Sequence, residues 1–504
     1  MLPYNPDGFT ASGYMAERDF NHYRRAFFAD PAATVDRRFV DSSTRLLHSL
    51  VGKDDSDSFP SSSDDLSQFT DDLIEKMRDS RHFNERSMAQ LHPNGNIPAE
   101  LAHFASTLRN NNTIVDESAP VETHVEQEVV EWLLREIARY DEQEASGALT
   151  TGGTLANLTG MMVAREKLIK GGGWDARSPV RVLTTPMAHY SIAKAARILG
   201  PAGLIETVDV PMDDGGYKLN ADALYRKVQE AKEDDVPVMA IVAVAGETET
   251  GLIDPLRRVV EIADDRGIYL HVDGAYGGPF VLGKQRELFD GMQDSDSLTV
   301  DPHKYLYTPY PAGSILFRSV NDHAYISDFN TGGDAYLFKD KTLHHPGLRR
   351  LEGSMGGQGA SATLAVIETL GVEGLRFILD HTIDLTDRGY RRIVDSPFFT
   401  PAFEPELNTL CFFPEDERVK DELKDPDEQA ALVEKARALL EEKTGIYLTT
   451  TSLPSPEKNG SRKKTKVFRL VPTHPYTETE HIDEAIDSLQ EVWDEVVSDI
   501  VRER

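Results

Sequence analysis

Three short segments carry residue types that could do chemistry together. Asp301-Pro302-His303-Lys304 follows a short apolar run, Ser297 to Val300, that reads as a strand. A lysine desolvated at a strand end can form an imine with a carbonyl compound, whereas most lysines are simply solvated. In His271-Val272-Asp273-Gly274-Ala275-Tyr276-Gly277-Gly278 a second apolar run, Ile268 to Leu270, delivers an aspartate to its carboxyl end. A carboxylate there can pair with a protonated ring nitrogen and turn a pyridine-type ring into an electron sink, or it can cap the next helix. Thr150-Thr151-Gly152-Gly153-Thr154-Leu155-Ala156-Asn157 is a glycine-rich turn running into an expected helix, Leu158 to Ile169. Backbone N–H groups in such a turn can hold a phosphate, and a plain N-capped turn with Thr154 as the cap fits equally well. Each segment is weak alone, and the three together, in the chain order glycine-rich turn, strand-end Asp, strand-end His-Lys, are far more specific.

The elements that must position these residues follow from periodicity. Between about 145 and 320, β-branched runs (Val180–Leu183, Val238–Val244, Ile268–Val272, Gly313–Phe317) alternate with helical stretches. This predicts an α/β fold with a central, mostly parallel sheet covered on both faces, its ligands at the carboxyl ends of the strands. Residues 1–110 are expected to form an N-terminal helical segment, interrupted at 53–65 by an acidic, proline-broken linker. Residues 111–394 form the large domain in this reading. Residues 395–504 form a small α+β domain with strands Thr409–Phe413 and Val467–Val471, helices Glu428–Lys443 and Thr479–Val497, and a basic loop, Ser452 to Lys466.

Composition narrows the function. The 85 acidic against 54 basic side chains give a net charge of −31, which argues against nucleic acid and anionic membrane surfaces as partners. Such acidity suits proteins that stay soluble in concentrated salt, and an acidic protein from dilute media can also reach it. The single cysteine, Cys411, excludes an intrachain disulfide or a cysteine metal cluster, and its apolar neighbours place it in a buried strand. No metal site is expected. The N-terminal stretch lacks the pattern of a secretion signal and no apolar run is long enough to span a bilayer, so the expected location is cytoplasmic.

On its DPHK and HVDGAYGG segments, the run from about Phe83 to Pro472 resembles the group II pyridoxal-phosphate amino-acid decarboxylases, which act on glutamate, aspartate, tyrosine and other aromatic amino acids. The resemblance implies the fold type I (aspartate-aminotransferase-like) architecture, pyridoxal 5'-phosphate as cofactor, and a homodimer with composite active sites. It implies that Lys304 carries the cofactor as a Schiff base, that Asp273 partners the ring nitrogen, and that His189 in Ala188-His189-Tyr190-Ser191 stacks on the ring with Ala275 beneath it. Gly153, Thr154 and His303 match phosphate contacts, and Thr248 matches a position near the ring hydroxyl. Tyr336, beside Thr331-Gly332-Gly333, resembles a mobile-loop tyrosine that helps protonate the product and reaches the neighbouring subunit's site. Read without the resemblance, His189 is more often a satisfied histidine, and Tyr336 is one of 17 tyrosines.

The substrate is less legible. Gln90 stands where glutamate decarboxylases also carry glutamine, which favours an acidic substrate. His92 could instead meet a phenol hydroxyl, and both could merely line the entrance. In Leu351-Glu352-Gly353-Ser354-Met355, Met355 replaces a cation common in the aspartate and tyrosine members, so Arg349, Arg350 or Arg469 would have to substitute. Arg469 could hold a carboxylate or form a surface salt bridge. The competing readings are a carbon–carbon lyase of the sphingoid-phosphate type and a non-catalytic protein on the same fold.

Overall fold

The computed structural model describes residues 83–213, 216–330, 346–454 and 464–503. Residues 1–82 of the expected N-terminal helical segment, including the linker at 53–65, and Tyr336 with its flanking glycines lie outside the described residues. Strand β1 (Ser87–Met88) comes first, followed by α1 (Ile97–Arg109) and α2 (Glu122–Trp132). Strands β2 (Ser146–Thr150), β3 (Val180–Thr184), β4 (Ile205–Asp209), β5 (Val238–Val244), β6 (Leu270–Asp273), β7 (Ser297–Val300) and β8 (Gly313–Phe317) build the large sheet. Between them run α3 (Gly153–Lys170), α4 (Ser191–Leu199), α5 (Ala221–Glu233) and α6 (Leu256–Arg266). After the sheet come α7 (Val320–Asn330) and α8 (Gln358–Val394), the latter interrupted at Gly371. The remainder is β9 (Phe399–Pro401), β10 (Leu410–Pro414), α9 (Pro426–Thr444), β11 (Tyr447–Pro454), β12 (Lys464–Leu470) and α10 (Thr479–Glu503).

The large sheet has the order β2-β8-β7-β6-β5-β3-β4. Its β7-β6-β5-β3-β4 portion is parallel, and β8 is antiparallel to both β7 and β2. Both faces are covered, as the apolar runs require. From β5, Ile241 and Ala243 join the cluster that holds Val259 and Val260 of α6, while Ala240 and Val242 join Val163 of α3 and Ala195 of α4 on the other face. Helix starts follow local chemistry: the Asn220 side chain caps α5 by accepting from Ala223 N, and Asp425 caps α9 by accepting from Asp427 N and Glu428 N.

A second sheet, β1-β11-β12-β10-β9, packs on α9 and α10 around Phe412, Phe468 and Trp493. Its edge strand β1 comes from the N-terminal region, with Ser87 opposite Tyr447 in parallel register. This differs from an all-helical N-terminal segment. Two residues are too few to show a period in sequence, and their partner lies in the C-terminal region. The hairpin β11–β12 pairs as far as Pro454 opposite Lys464, so the basic loop is shorter than its composition suggests. The two sheets are tied together by buried polar contacts: Asn408 accepts from the Tyr276 hydroxyl (2.6 Å) and its amide donates to the Tyr305 hydroxyl (2.6 Å).

Candidate active site

A cavity of about 500 Å³ opens at the carboxyl ends of β2, β3, β5, β6 and β7, and Gly153, Thr154, His189, Thr248, Asp273, Ala275, His303 and Lys304 all line it. The topology places them there, because each is at, or shortly after, the end of a strand of the large sheet.

The phosphate turn is built by close approach rather than by side-chain capping. Helix α3 starts at Gly153, with Gly152 as N-cap and no side-chain cap, so Thr154 lies inside the first turn and is not the cap. A Cβ on Gly153 would lie 2.7 Å from Asp301 Oδ2 and 3.2 Å from the Ala275 methyl, so only glycine fits. Gly246, at the end of β5, has φ +97° and would bring a Cβ within 2.7 Å of Gly277 Cα, which explains the glycines on both sides of this wall.

Lys304 sits one turn after β7, its Nζ 3.3 Å from Asp301 Oδ2. Asp301 is buried, and burial raises its carboxyl to about 6 against the opposing pull of Lys304. Its Oδ1 is also buried and has no hydrogen-bond partner among the described residues. Asp301 opens the DPHK segment, but nothing in the sequence shows that its carboxylate faces Lys304 and His303. His303 places Nε2 3.5 Å from the same carboxylate, stacks on Tyr310 at 3.8 Å, and is lowered to about 3 by burial and then by the Lys304 charge. It is therefore a neutral ring near pH 7.

Asp273 ends β6, where Oδ1 accepts from Ala275 N (3.1 Å) and Oδ2 accepts from the Asn157 amide (2.7 Å). It caps its own turn and still faces the cavity. His189 also faces the cavity, and its Nδ1 contacts Ser191 Oγ at 2.8 Å. Burial lowers its pKa, with Lys304 and Lys194 adding to the effect and Asp273 and Glu249 opposing it.

Three substrate candidates lie elsewhere. Arg469 is neither a carboxylate receptor in the cavity wall nor a surface salt bridge. It is buried, and donates to Glu249 O (3.0 Å), Ala89 O (2.9 Å) and Thr248 O (2.7 Å), pinning the turn that carries Thr248 onto β12. Gln90 donates to the Tyr447 hydroxyl at 3.4 Å, outside the cavity wall. His92 is one ring removed, edge-on to Tyr310 at 5.4 Å, and is lowered by burial and by the Lys304 charge. Nor does Arg350 replace the cation missing at Met355: it is buried against Glu126 (2.9 Å) and Thr113. Arg349 donates to Ser146 Oγ (3.3 Å), and the Met355 side chain packs against the core. Cys411 is buried in β10 as its neighbours suggest, its thiol pushed well up by burial.

Arg469→Ala is accordingly expected to strand three backbone carbonyls and lower unfolding stability by about 3 kcal/mol or more, read from urea midpoints. An unchanged midpoint with a raised KM for an acidic substrate would return Arg469 to substrate binding. A second expectation concerns Glu247, whose buried Oε2 accepts from Glu249 N, Thr250 N and the Thr250 hydroxyl, and whose carboxyl burial raises to about 7. A carboxyl raised on folding favours the folded state while protonated and loses that contribution as pH rises through the folded value. Glu247→Gln mimics the protonated form. Its stability relative to wild type should grow from about pH 4.5 to about pH 7 and level off above; a pH-independent difference in urea midpoint would contradict this.

The uncapped start of α3, the glycine cradle against Asp301 and Ala275, the strand-end Asp273 and the orphaned Asp301 Oδ1 together fit a cofactor with an anionic end, a basic ring nitrogen and a carbonyl. That combination, on a mostly parallel sheet with a small second sheet, defines a pyridoxal-phosphate enzyme of fold type I. Residues 51–414 match the family model described as the pyridoxal-dependent decarboxylase conserved domain, and the chain belongs to that family. It is 27% identical to an aspartate 1-decarboxylase of Aliivibrio fischeri over 92% of this chain and 87% of that protein. It is 31% identical to an L-2,4-diaminobutyrate decarboxylase of Rhizobium meliloti over 65% of this chain, an alignment spanning 64% of that relative's length. The fold is shared with the Oryza sativa TDC solved with PLP and tryptamine, at TM-score 0.75, 16% identity, and coverage of 98% of this chain and 99% of that one. The chain is thus a pyridoxal-phosphate-dependent amino-acid decarboxylase. Among the described residues, no helix is long and apolar enough to cross a membrane.

Proposed function

We propose that this enzyme converts L-aspartate to its amine and CO2, with glutamate and tyrosine as the next candidates, in a homodimer whose sites are completed by a second copy. The observation that carries the chemistry is the convergence of Lys304, Asp301, Asp273, His189 and His303 on one cavity. When bound, pyridoxal phosphate supplies an electron sink for the pair left as CO2 departs. Lys304 is the amine that holds it, and Asp301 Oδ2, 3.3 Å from Nζ, is placed to take a proton as that amine becomes a nucleophile. Asp273 would supply the charge for the cofactor's ring nitrogen, Gly153, Thr154 and His303 would hold its phosphate, Thr248 is assigned to its ring hydroxyl, and His189 and Ala275 to the two faces of its ring. Tyr336 is assigned the proton delivered to the product carbon, from the neighbouring copy.

The choice of aspartate rests on the relative from Aliivibrio fischeri, whose alignment runs through 92% of this chain. Arg350 and Arg469 are committed to Glu126 and to backbone carbonyls, so Lys194 on the cavity wall or a group of the second copy would meet a side-chain carboxylate. Support for a dimer comes from Leu101, Phe104 and Leu108, a stripe at helical spacing on α1 that is 60%, 37% and 48% exposed. Amine and CO2 formation by the loaded enzyme from aspartate, glutamate, tyrosine and 2,4-diaminobutyrate, in low and in molar salt, tests the reading. Aspartate should turn over fastest. Faster turnover of another amino acid overturns the substrate, and silence with all of them despite bound cofactor favours the lyase or the non-catalytic alternative.

A further inference from the structure

Asp273 sits at the head of a buried hydrogen-bond chain that nothing in the three motifs announces. Its Oδ2 lies 2.7 Å from Asn157 Nδ2, and the same amide nitrogen lies 2.9 Å from Ser191 Oγ. On its other side, Asn157 Oδ1 lies 3.0 Å from His271 Nε2, whose Nδ1 lies 2.8 Å from Ser297 Oγ. Ser191 Oγ in turn lies 2.8 Å from His189 Nδ1. Asn157, Ser191, His271 and Ser297 are all buried.

The direction of every bond follows from one fact: a carboxylate only accepts. Asn157 must turn its NH2 toward Asp273, so its oxygen faces His271 and requires a hydrogen on Nε2. Burial lowers His271 to about 4, so that ring is neutral near pH 7 and its Nδ1 accepts from the Ser297 hydroxyl. The second amide hydrogen of Asn157 goes to Ser191 Oγ. That hydroxyl then has its own hydrogen free for His189 Nδ1. The Ser191 backbone N–H, 3.4 Å from Nδ1, points at the same nitrogen, so His189, also neutral by burial, carries its proton on Nε2, an atom with no partner among the described residues.

We propose that Asn157 is a positioning residue that reads the Asp273 carboxylate and, through Ser191, fixes His189 in the tautomer that presents an Nε2–H donor to the cavity. Asp273 and His189 are thus set as a pair: the group placed opposite the ring nitrogen also decides which histidine nitrogen can donate above the ring. The consequence for catalysis rests on the decarboxylase reading, whereas the tautomer does not.

Asn157→Asp is nearly isosteric and reverses the chain. Two carboxyls about 2.7 Å apart share one proton, held between positions 157 and 273, so the oxygen at 157 has no hydrogen for Ser191 and takes the Ser191 hydroxyl hydrogen; Ser191 Oγ must then accept from His189, and the proton moves to Nδ1. Ser191→Ala removes the hydroxyl link and leaves only the longer backbone approach to Nδ1, keeps the Asn157–Asp273 bond intact and alters one small side chain, which keeps the test available if the first variant folds poorly. The readout is the ring nitrogens of His189 by 15N NMR on histidine-labelled enzyme, with and without cofactor and without substrate, assigned by loss of signal in His189→Gln. The expected results are a single Nε2–H tautomer in wild type, an Nδ1–H tautomer in Asn157→Asp, and in Ser191→Ala a mixture still weighted to Nε2–H by the 3.4 Å approach of the residue-191 backbone N–H to Nδ1. The same Nε2–H tautomer in all three proteins, or Nδ1–H in wild type, overturns the proposal. Because no substrate is present, failure to decarboxylate aspartate would refute the substrate reading and leave this one standing.

Discussion

Lys304→Ala enzyme is expected to release CO2 at least about 10²–10⁴-fold more slowly than wild type with its best substrate, the range assigned to a positioned proton-transfer group, before any loss of covalent catalysis is added. Among the described residues, the lysines on the cavity wall are Lys194 and Lys304. Lys194 is exposed, its Nζ stacked over the Tyr190 ring at 4.6 Å, whereas Lys304 has a buried carboxylate 3.3 Å from Nζ. Borohydride reduction of the loaded enzyme followed by peptide mass mapping should tag the Lys304 peptide in wild type and leave the variant untagged. The variant should still bind the cofactor without a covalent bond, because the uncapped α3 start, His303 and Asp273 remain. A tag on Lys194 in wild type, or unimpaired CO2 release by the variant, would remove Lys304 from the reaction.

The parts of this molecule legible in sequence are those governed by local pattern. The β-branched runs at Val238–Val244, Ser297–Val300 and Gly313–Phe317 coincide with β5, β7 and β8, because central strands buried on both faces must be continuously apolar. Helix α3 begins at Gly153 rather than Leu158, since small residues that tolerate a close approach to Asp301 look like a turn in sequence. β1 pairs with β11 across most of the chain, and no local signal marks such a partner. The same division runs through the site. Lys304, Asp273 and His189 stand in segments whose residue types suggest chemistry. Asp301 stands beside Lys304, and Asn157 closes the glycine-rich segment, yet neither is marked by its type, because the role of a buried polar group is defined by what it faces: Asp273 and His271 for Asn157, Lys304 and His303 for Asp301. Arg469 shows the converse error. A lone arginine on a strand suggests a ligand, yet three backbone carbonyls from two distant segments already occupy its guanidinium.

Asp273→Asn should be the most damaging conservative change in the cavity. An amide removes the negative charge opposite the ring nitrogen, and it also cannot satisfy both existing donors. Ala275 N–H points at Oδ1 and the Asn157 amide at Oδ2, so whichever way the new side chain turns, its NH2 meets another N–H. Flipping Asn157 relieves the clash only if His271 also moves its proton to Nδ1, so that Nε2 accepts and the bond to Ser297 reverses, which rearranges the whole chain behind the carboxylate. Breaking one side of a buried charge pair costs about 3–5 kcal/mol, which at 1.36 kcal/mol per decade is about 10²–10⁴ in kcat/KM. Asp273→Glu retains the charge but displaces it by a methylene, and should recover part of the cofactor affinity with little of the rate. Steady-state CO2 release and cofactor binding, measured on both variants, separate charge from placement. If Asp273→Asn stayed within about tenfold of wild type, the electron-withdrawing role assigned to this carboxylate would be untenable. The hydrogen-bond chain behind it would then have to be explained as support for the sheet alone.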